Sequence, residues 1–229
     1  MILSIIIPVY NEENTIIEVL NKIKNCLENK FKYEIIVIDD GSTDQSRKLL
    51  ENNKKLYDKL LINESNKGKG FSVKKGLLSC LGTHVAFQDG DLEYNPNDLL
   101  KLQKMFVDFD ADGVIGSRFN YSDFTRTHNF LNKIGNKILT FIFNVLYNTT
   151  FTDIYSCYFA FKKKLLNINE LRTTGFEQHA EILCKVIKNG DKFYEVPISY
   201  NGRSFSEGKK IRSYHFFTAL FQLLLGRIK

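Results

Sequence analysis

Short apolar runs alternate with longer stretches of helical spacing through the first half of the chain. Leu3 to Pro8, Tyr33 to Ile38, Leu60 to Ile62, His84 to Gln88 and Gly113 to Ile115 read as strands. Between them, Ile16, Val19, Leu20, Ile23 and Leu27 recur with the period of one helix face. Asn11 or Asn14 is the expected cap of that helix, and Ser42 or Thr43 that of the next, which carries Leu49 and Leu50. Gly70 to Leu81 and a segment opened by Asn97 complete the helices of this half. The strands are nearly continuous apolar runs rather than alternating ones. That pattern predicts an α/β fold, a parallel sheet covered by helices on both faces.

The second half has a different texture. Asn129 to Tyr147 reads as a long helix, apolar over most of its circumference. Cys157 to Phe161 reads as a strand, Glu177 to Ile187 as a helix and Lys192 to Val196 as a strand. His215 to Leu225 is short and very apolar, with Lys209, Lys210 and Arg212 before it and Arg227 and Lys229 after it. It is too short to span a bilayer and suits a helix lying at an interface. Packing on the core or on a second copy is the plainer alternative.

Composition narrows the classes. With 229 residues, 43% hydrophobic and 25% charged, the chain is long enough for one sizeable core and too apolar for disorder. A net charge of +6 favours anionic partners, but the lysines are scattered, so nucleic acid is not expected. Cys26, Cys80, Cys157 and Cys184 form no C-x-x-C pair, which argues against zinc and for free thiols. Met1 to Ser4 lacks a basic leader, and no signal peptide or spanning segment is expected.

Polar clusters follow the strands: Tyr10-Asn11-Glu12, Asp39-Asp40, Asp89-Gly90-Asp91 and Ser117-Arg118. Parallel sheets bind ligands at the carboxyl ends of their strands, so these clusters should converge. Two carboxylates one residue apart can face one hard cation, Mg²⁺ or Mn²⁺, with Glu93 as a third oxygen ligand. Such an ion keeps positions open for diphosphate oxygens. A solvated Asp-Gly turn is the alternative for an isolated pair. One Asp of the Asp39-Asp40 pair can accept from a base or ribose, and the other can join a capping network. Asn66-Lys67-Gly68-Lys69-Gly70 fails the phosphate-loop pattern because Phe71 follows, and no G-x-G-x-x-G follows the first strand. A dinucleotide dehydrogenase is therefore disfavoured. A dehalogenase-like phosphatase is disfavoured too, since its Asp pair belongs after the first strand.

Taken together, Ser4 to Glu12, Ile36 to Asp44 and Gln88 to Tyr94 resemble the family 2 glycosyltransferases, and within them the dolichol- or polyprenyl-phosphate sugar synthases. Gly116-Ser117-Arg118, Gly135-Asn136, Thr152-Asp153, Glu195 to Ile198, Arg203 and Glu207 to Lys210 are similar to that branch. Gly90 stands where the family usually has Ala, and Ile154 where Met or Val is usual. The resemblance implies a GT-A domain over 1–208, with a nucleotide-binding half (1–118) and an acceptor half (119–208), followed by a basic, apolar helix in 209–229. It implies that Pro8, Tyr10, Glu12, Ile38 and Asp40 contact the nucleoside, and that Lys69, Asp89 and Gly90 lie at the donor. Asp89, Asp91 and Glu93 would hold the metal. Arg118, Arg203 and Lys209 would meet donor diphosphate or acceptor phosphate, with Asp91 and Arg118 at the reacting centre.

The implied reaction is inverting transfer of a hexose from a GDP-mannose or UDP-glucose type donor to a polyprenyl or dolichyl phosphate. It would take place peripherally on the cytoplasmic face of a membrane, in glycan or cell-envelope synthesis. An integral-membrane partner or a homo-oligomer is compatible with this. If the acceptor is instead a saccharide hydroxyl, Glu181 or Glu177 is the candidate base. The carboxylates of a helix N-terminus are their plainer role. A non-catalytic membrane-associated module is the remaining alternative.

Overall fold

The computed structural model describes residues 1–120, 126, 130–204 and 215–228. Seven strands form one sheet: β1 (Leu3–Val9), β2 (Tyr33–Asp39), β3 (Lys59–Ile62), β4 (His84–Phe87), β5 (Gly113–Ser117), β6 (Phe159–Lys162) and β7 (Phe193–Pro197), in the order β3-β2-β1-β4-β6-β5-β7. The helices are α1 (Ile16–Leu27), α2 (Ser46–Asn52), α3 (Lys69–Ser79), α4 (Asp98–Phe109), α5 (Phe130–Tyr147), α6 (Gln178–Asn189) and α7 (His215–Ile228).

All strand pairs are parallel except the two that β6 makes, with β4 and with β5. β1 and β2 carry Ile5, Ile6, Ile7, Ile35, Ile36, Val37 and Ile38, all buried. Burial on both sheet faces explains why their sequences show no alternation. From β1 the chain winds outward to β3, then returns to place β4 on the other side of β1. The crevice at the carboxyl ends of β1 and β4 is the topological switch point.

β6 has a local consequence for that crevice. It runs against its neighbours, so the residues entering it lie at the edge where the parallel strands end. Residues 152–157 are thereby delivered beside the exits of β4 and β5.

Two expected caps are not formed. Thr15 precedes α1, and Asn11 instead turns the chain with a φ of +53°. The Asn11 amide donates to Ser42 Oγ at 3.1 Å, and the Thr43 amide donates to Asn11 Oδ1 at 2.8 Å. Ser42 and Thr43 thus tie the β1–α1 loop to the β2–α2 loop, and α2 begins later, at Ser46, whose amide is held by Asp44. Short polar side chains bond whichever backbone is nearest, and here that is another loop.

α7 packs on α5 and α6, burying Ala219, Gln222 and Leu223. It extends to Ile228, past the expected end at Leu225. Gly226 is required there: a Cβ would lie 2.8 Å from Cys184 Cβ and 3.0 Å from the Tyr147 hydroxyl. Cys26, Cys80, Cys157 and Cys184 are free thiols.

Candidate active site

A cavity of about 660 Å³ opens at the switch point. Its wall includes Pro8, Tyr10, Glu12, Asp40, Lys69, Asp89, Gly90, Asp91, Glu93, Arg118 and Arg203. Residues from six segments, far apart in sequence, therefore meet in one place. Ile38 is not among them. It is fully buried and packs beneath α3, where a Cβ on Gly76 would lie 2.9 Å from its Cδ1. Lys209 lies outside the described residues.

Asp89 and Asp91 leave β4 on either side of Gly90. Lys69 Nζ donates to Asp89 Oδ1 at 2.5 Å, and that pair holds the Asp89 carboxyl below its ordinary range despite its burial. Asp91 is in a different state. Burial and the charges of Asp89 and Glu93 push its carboxyl up to about 7, against the pull of Arg203. The Arg203 guanidinium donates to Asp91 Oδ2 and to both Glu12 oxygens, at 3.1 and 3.2 Å. Glu93 accepts from the Arg203 amide at 2.7 Å and from the Tyr200 hydroxyl at 2.9 Å. Among the described residues no three Asp, Glu, His or Cys side chains gather as a metal cage. Glu93, expected as a third metal ligand, is instead spent on Tyr200 and Arg203.

Asp40 builds the opposite wall. Its two oxygens accept from Asn63 Nδ2 at 2.7 Å, the Lys67 amide at 3.0 Å and the Gly68 amide at 2.9 Å. Gly68, at φ +97°, lies so close to Thr174 that a Cβ would come 2.6 Å from its carbonyl oxygen. Asp40 and Gly68 together aim Lys69 at Asp89. Asp39 does not face the cavity: one oxygen accepts from the Ser42 amide and the other is buried without a partner.

Arg118 is positioned by residues that sequence reading quoted without giving them a task. Its Nε donates to Asp153 Oδ2 at 2.6 Å and its Nη2 to Oδ1 at 2.8 Å, a bidentate fork on a fully buried carboxylate. Glu195 on β7 in turn accepts from the amides of Thr152 and Asp153 at 2.9 and 3.1 Å. The guanidinium also lies 5.1 Å from the Tyr200 ring centroid.

Tyr94, Tyr155, Cys157, Gln178, His179 and Tyr200 also line the cavity and were not singled out. Tyr94 closes the Gln88 to Tyr94 motif after β4, while the others come from the antiparallel entry to β6, the start of α6 and the tail after β7, with no local motif to mark them. Burial drives His179 down to about 4, so it is neutral at pH 7. Glu177 and Glu181, the candidate bases, do not line the cavity. Glu181 accepts from the Arg172 and Thr173 amides and the Thr173 hydroxyl, and Glu177 from the Gly175 amide. Both brace the loop before α6.

Comparison with known proteins shows the family and the fold. The model of Glycosyl transferase family 2 matches residues 4–168. This chain is a family 2 glycosyltransferase. It is 30% identical over 250 residues to the UDP-N-acetylglucosamine–dolichyl-phosphate N-acetylglucosaminyltransferase of Methanococcus voltae, covering 99% of this chain and 98% of that protein. It is 28% identical to a low-salt glycan biosynthesis hexosyltransferase of Haloferax volcanii, covering 88% of this chain but 48% of that protein. It is 30% identical to the dolichol-phosphate mannosyltransferase of Pyrococcus furiosus, covering 91% of this chain and 59% of that one. The chain thus spans only about half the length of some relatives. In fold it is similar to glucosyl-3-phosphoglycerate synthase of Mycobacterium tuberculosis, solved with Mn²⁺, UDP and glucosyl-3-phosphoglycerate. That match has a TM-score of 0.73 at 20% identity, covering 98% of this chain and 79% of that one. The glycosyltransferase thus has a mostly parallel, GT-A-like sheet flanked by helices.

Proposed function

We propose that this glycosyltransferase moves a hexose from a nucleoside-diphosphate sugar to a polyprenyl phosphate at a membrane surface, inverting the anomeric centre. The observation that carries the choice of acceptor is the state of the cavity's carboxylates. Among the described residues, Glu12, Asp91 and Glu93 are bound by Arg203, Asp89 by Lys69, and Asp40 by two backbone amides and Asn63. Asp91, held near 7, is engaged by Arg203 and is one of the two acids that would hold the ion, the other carboxylates are engaged by these partners, and a histidine with a pKa near 4 is a poor base at neutral pH. A phosphomonoester needs no base: its second pKa is about 6, so it arrives largely dianionic. What it needs is positive charge, and Lys69, Arg118 and Arg203 share the cavity.

The donor set fits a divalent ion. Asp89 and Asp91 offer hard oxygens, and two side-chain cations already stand on them, which marks the pair as a place of surplus negative charge. Asp89 and Asp91 would hold the ion. When bound, it would stabilise the charge growing on the departing diphosphate. Arg118 and Arg203 add fixed positive charge for the two phosphate groups. Pro8, Tyr10, Glu12 and Asp40 frame the nucleoside side, and Gly90 joins the two acids. The M. voltae and P. furiosus relatives, named for dolichyl-phosphate chemistry, support the lipid acceptor.

A surface beside the cavity suits a lipid. Leu131, Ile134, Ile138, Phe141 and Val145 make one exposed stripe on α5, and Phe217, Phe221, Leu224 and Ile228 another on α7. Neither helix contains an acidic residue, while Lys133, Lys137 and Arg227 are basic. Leu131, Gly135 and Leu139 of α5, with His215, Phe216 and Phe217 of α7, also line the cavity, so the apolar face leads into the site. No helix among the described residues is long and apolar enough to cross a membrane. The docking would be peripheral.

The test is transfer of labelled sugar to polyprenyl phosphate and, separately, to free glycans, with GDP and UDP sugars and Mn²⁺. Transfer to the lipid phosphate is expected, with loss of about 10²-fold or more for Asp91→Asn. Transfer to glycans alone would overturn the acceptor. Unchanged turnover by Asp91→Asn would overturn the role of the acid pair.

A further inference from the structure

The two cations on the acid pair carry an inference beyond the reaction itself. Arg203 does not merely approach Asp91. Its guanidinium is bound on one side by Glu12 and on the other by Asp91, its Nε lies 3.5 Å from Glu93, and its own amide is held by Glu93. Three carboxylates from two loops thus converge on one guanidinium that is mostly buried. Lys69 pairs with Asp89. Both acids that would hold a divalent ion therefore already carry a cation of the protein's own.

We propose that Arg203, assisted by Lys69, is an internal counter-ion that excludes a bare divalent metal, so that metal and nucleotide enter the site as a coupled pair. This rests on the metal-dependent reading above. A metal arriving alone must displace Arg203 from Asp91 and set two further positive charges against the mostly buried guanidinium and Lys69, which is unfavourable. A nucleoside diphosphate removes the conflict. Its phosphate oxygens give Arg203 and Lys69 new anionic partners and free the acids for the ion. Coupling of this kind is reciprocal, so the metal must tighten the nucleotide by the factor that the nucleotide tightens the metal.

The experiment is Mn²⁺ binding, followed by electron paramagnetic resonance of the free aquo ion, with and without UDP or GDP. It is run on the full chain and on Arg203→Ala and Lys69→Met. Circular dichroism establishes that each variant is folded. The wild type should bind Mn²⁺ at least about tenfold more weakly alone than with nucleotide. Chelation by the nucleotide would produce that difference without any counter-ion, so the variants decide. Arg203→Ala should bind Mn²⁺ alone about tenfold more tightly than the wild type, and Lys69→Met should shift the same way. Should Arg203→Ala prove unfolded, Lys69→Met alone decides. Metal-alone affinity that is unchanged or weaker in the folded variants would overturn the proposal while leaving the metal-dependent reading intact. Absence of Mn²⁺ binding by the wild type even with both nucleotides would overturn the reading and the proposal with it.

Discussion

Asp153→Asn is the most informative single change. The wild-type carboxylate is fully buried and accepts from Arg118 Nε, Nη2 and the backbone amide. Replacing one oxygen by an NH₂ turns an acceptor into a donor facing a guanidinium. Removing one partner of a buried pair costs about 3–5 kcal/mol, because the other charge stays buried and unpaired. The Arg118 side chain retains some solvent access, so the lower end, about 3 kcal/mol, is expected. With a urea m-value of about 2–3 kcal/mol/M, the unfolding midpoint should fall by about 1–1.5 M. Activity should fall by about 10²-fold, since a guanidinium displaced by an ångström no longer meets its phosphate.

The double variant Arg118→Met with Asp153→Asn separates the causes. If the fork is the reason, Arg118→Met should offset part of the loss, with a coupling energy of about 2 kcal/mol in the cycle. A midpoint shift below about 0.3 M for Asp153→Asn, or strict additivity in the cycle, would refute the argument that Asp153 holds Arg118.

Other consequences follow from the same geometry. A Cβ at Gly90 would meet its nearest atoms at 3.4 to 3.7 Å, so Gly90→Ala should fit and raise stability by up to about 1 kcal/mol in thermal unfolding with activity retained. Gly68→Ala, at φ +97° and 2.6 Å from the Thr174 oxygen, should instead lose more than about 1 kcal/mol and misplace Lys69, seen as weaker nucleotide binding by calorimetry. His84 and His179 are both depressed to about 4, chiefly by burial, so the unfolded chain binds their protons first as pH falls. The histidine contribution should therefore be full above pH 6.5 and be lost toward pH 4, by about 2 kcal/mol per histidine after allowing for partial solvent access, while Asp91, raised to about 7, takes up a proton on folding and opposes the fall. Urea titrations from pH 7.5 to 4 would show this, and a slope unchanged by His84→Gln would count against it. Finally, Phe141→Asp with Phe221→Asp should cut sedimentation with anionic vesicles about tenfold or more while barely moving the melting temperature, since these side chains are 69% and 65% exposed.

Sequence alone determined the α/β class, the strands and the acids at their ends. Those signals are local: a run of Ile and Val buried on both faces has no alternation to hide, and a carboxylate after such a run has nowhere to lie but the sheet edge. Asp89, Asp91, Lys69 and Arg203 were legible for that reason, or through motifs. The tasks of the supporting residues were not. Asp153 reaches Arg118 only because β6 runs antiparallel between β4 and β5, which nothing in Cys157 to Phe161 reveals. Ile38 looked like a nucleoside contact from its place in a motif, yet packing under α3 buries it. Glu181 has the charge of a base, but the backbone amides before α6 claim it. A side chain's type sets what it can bond; which groups come within 3 Å of it is decided by strand order and by loops that meet across the sheet edge.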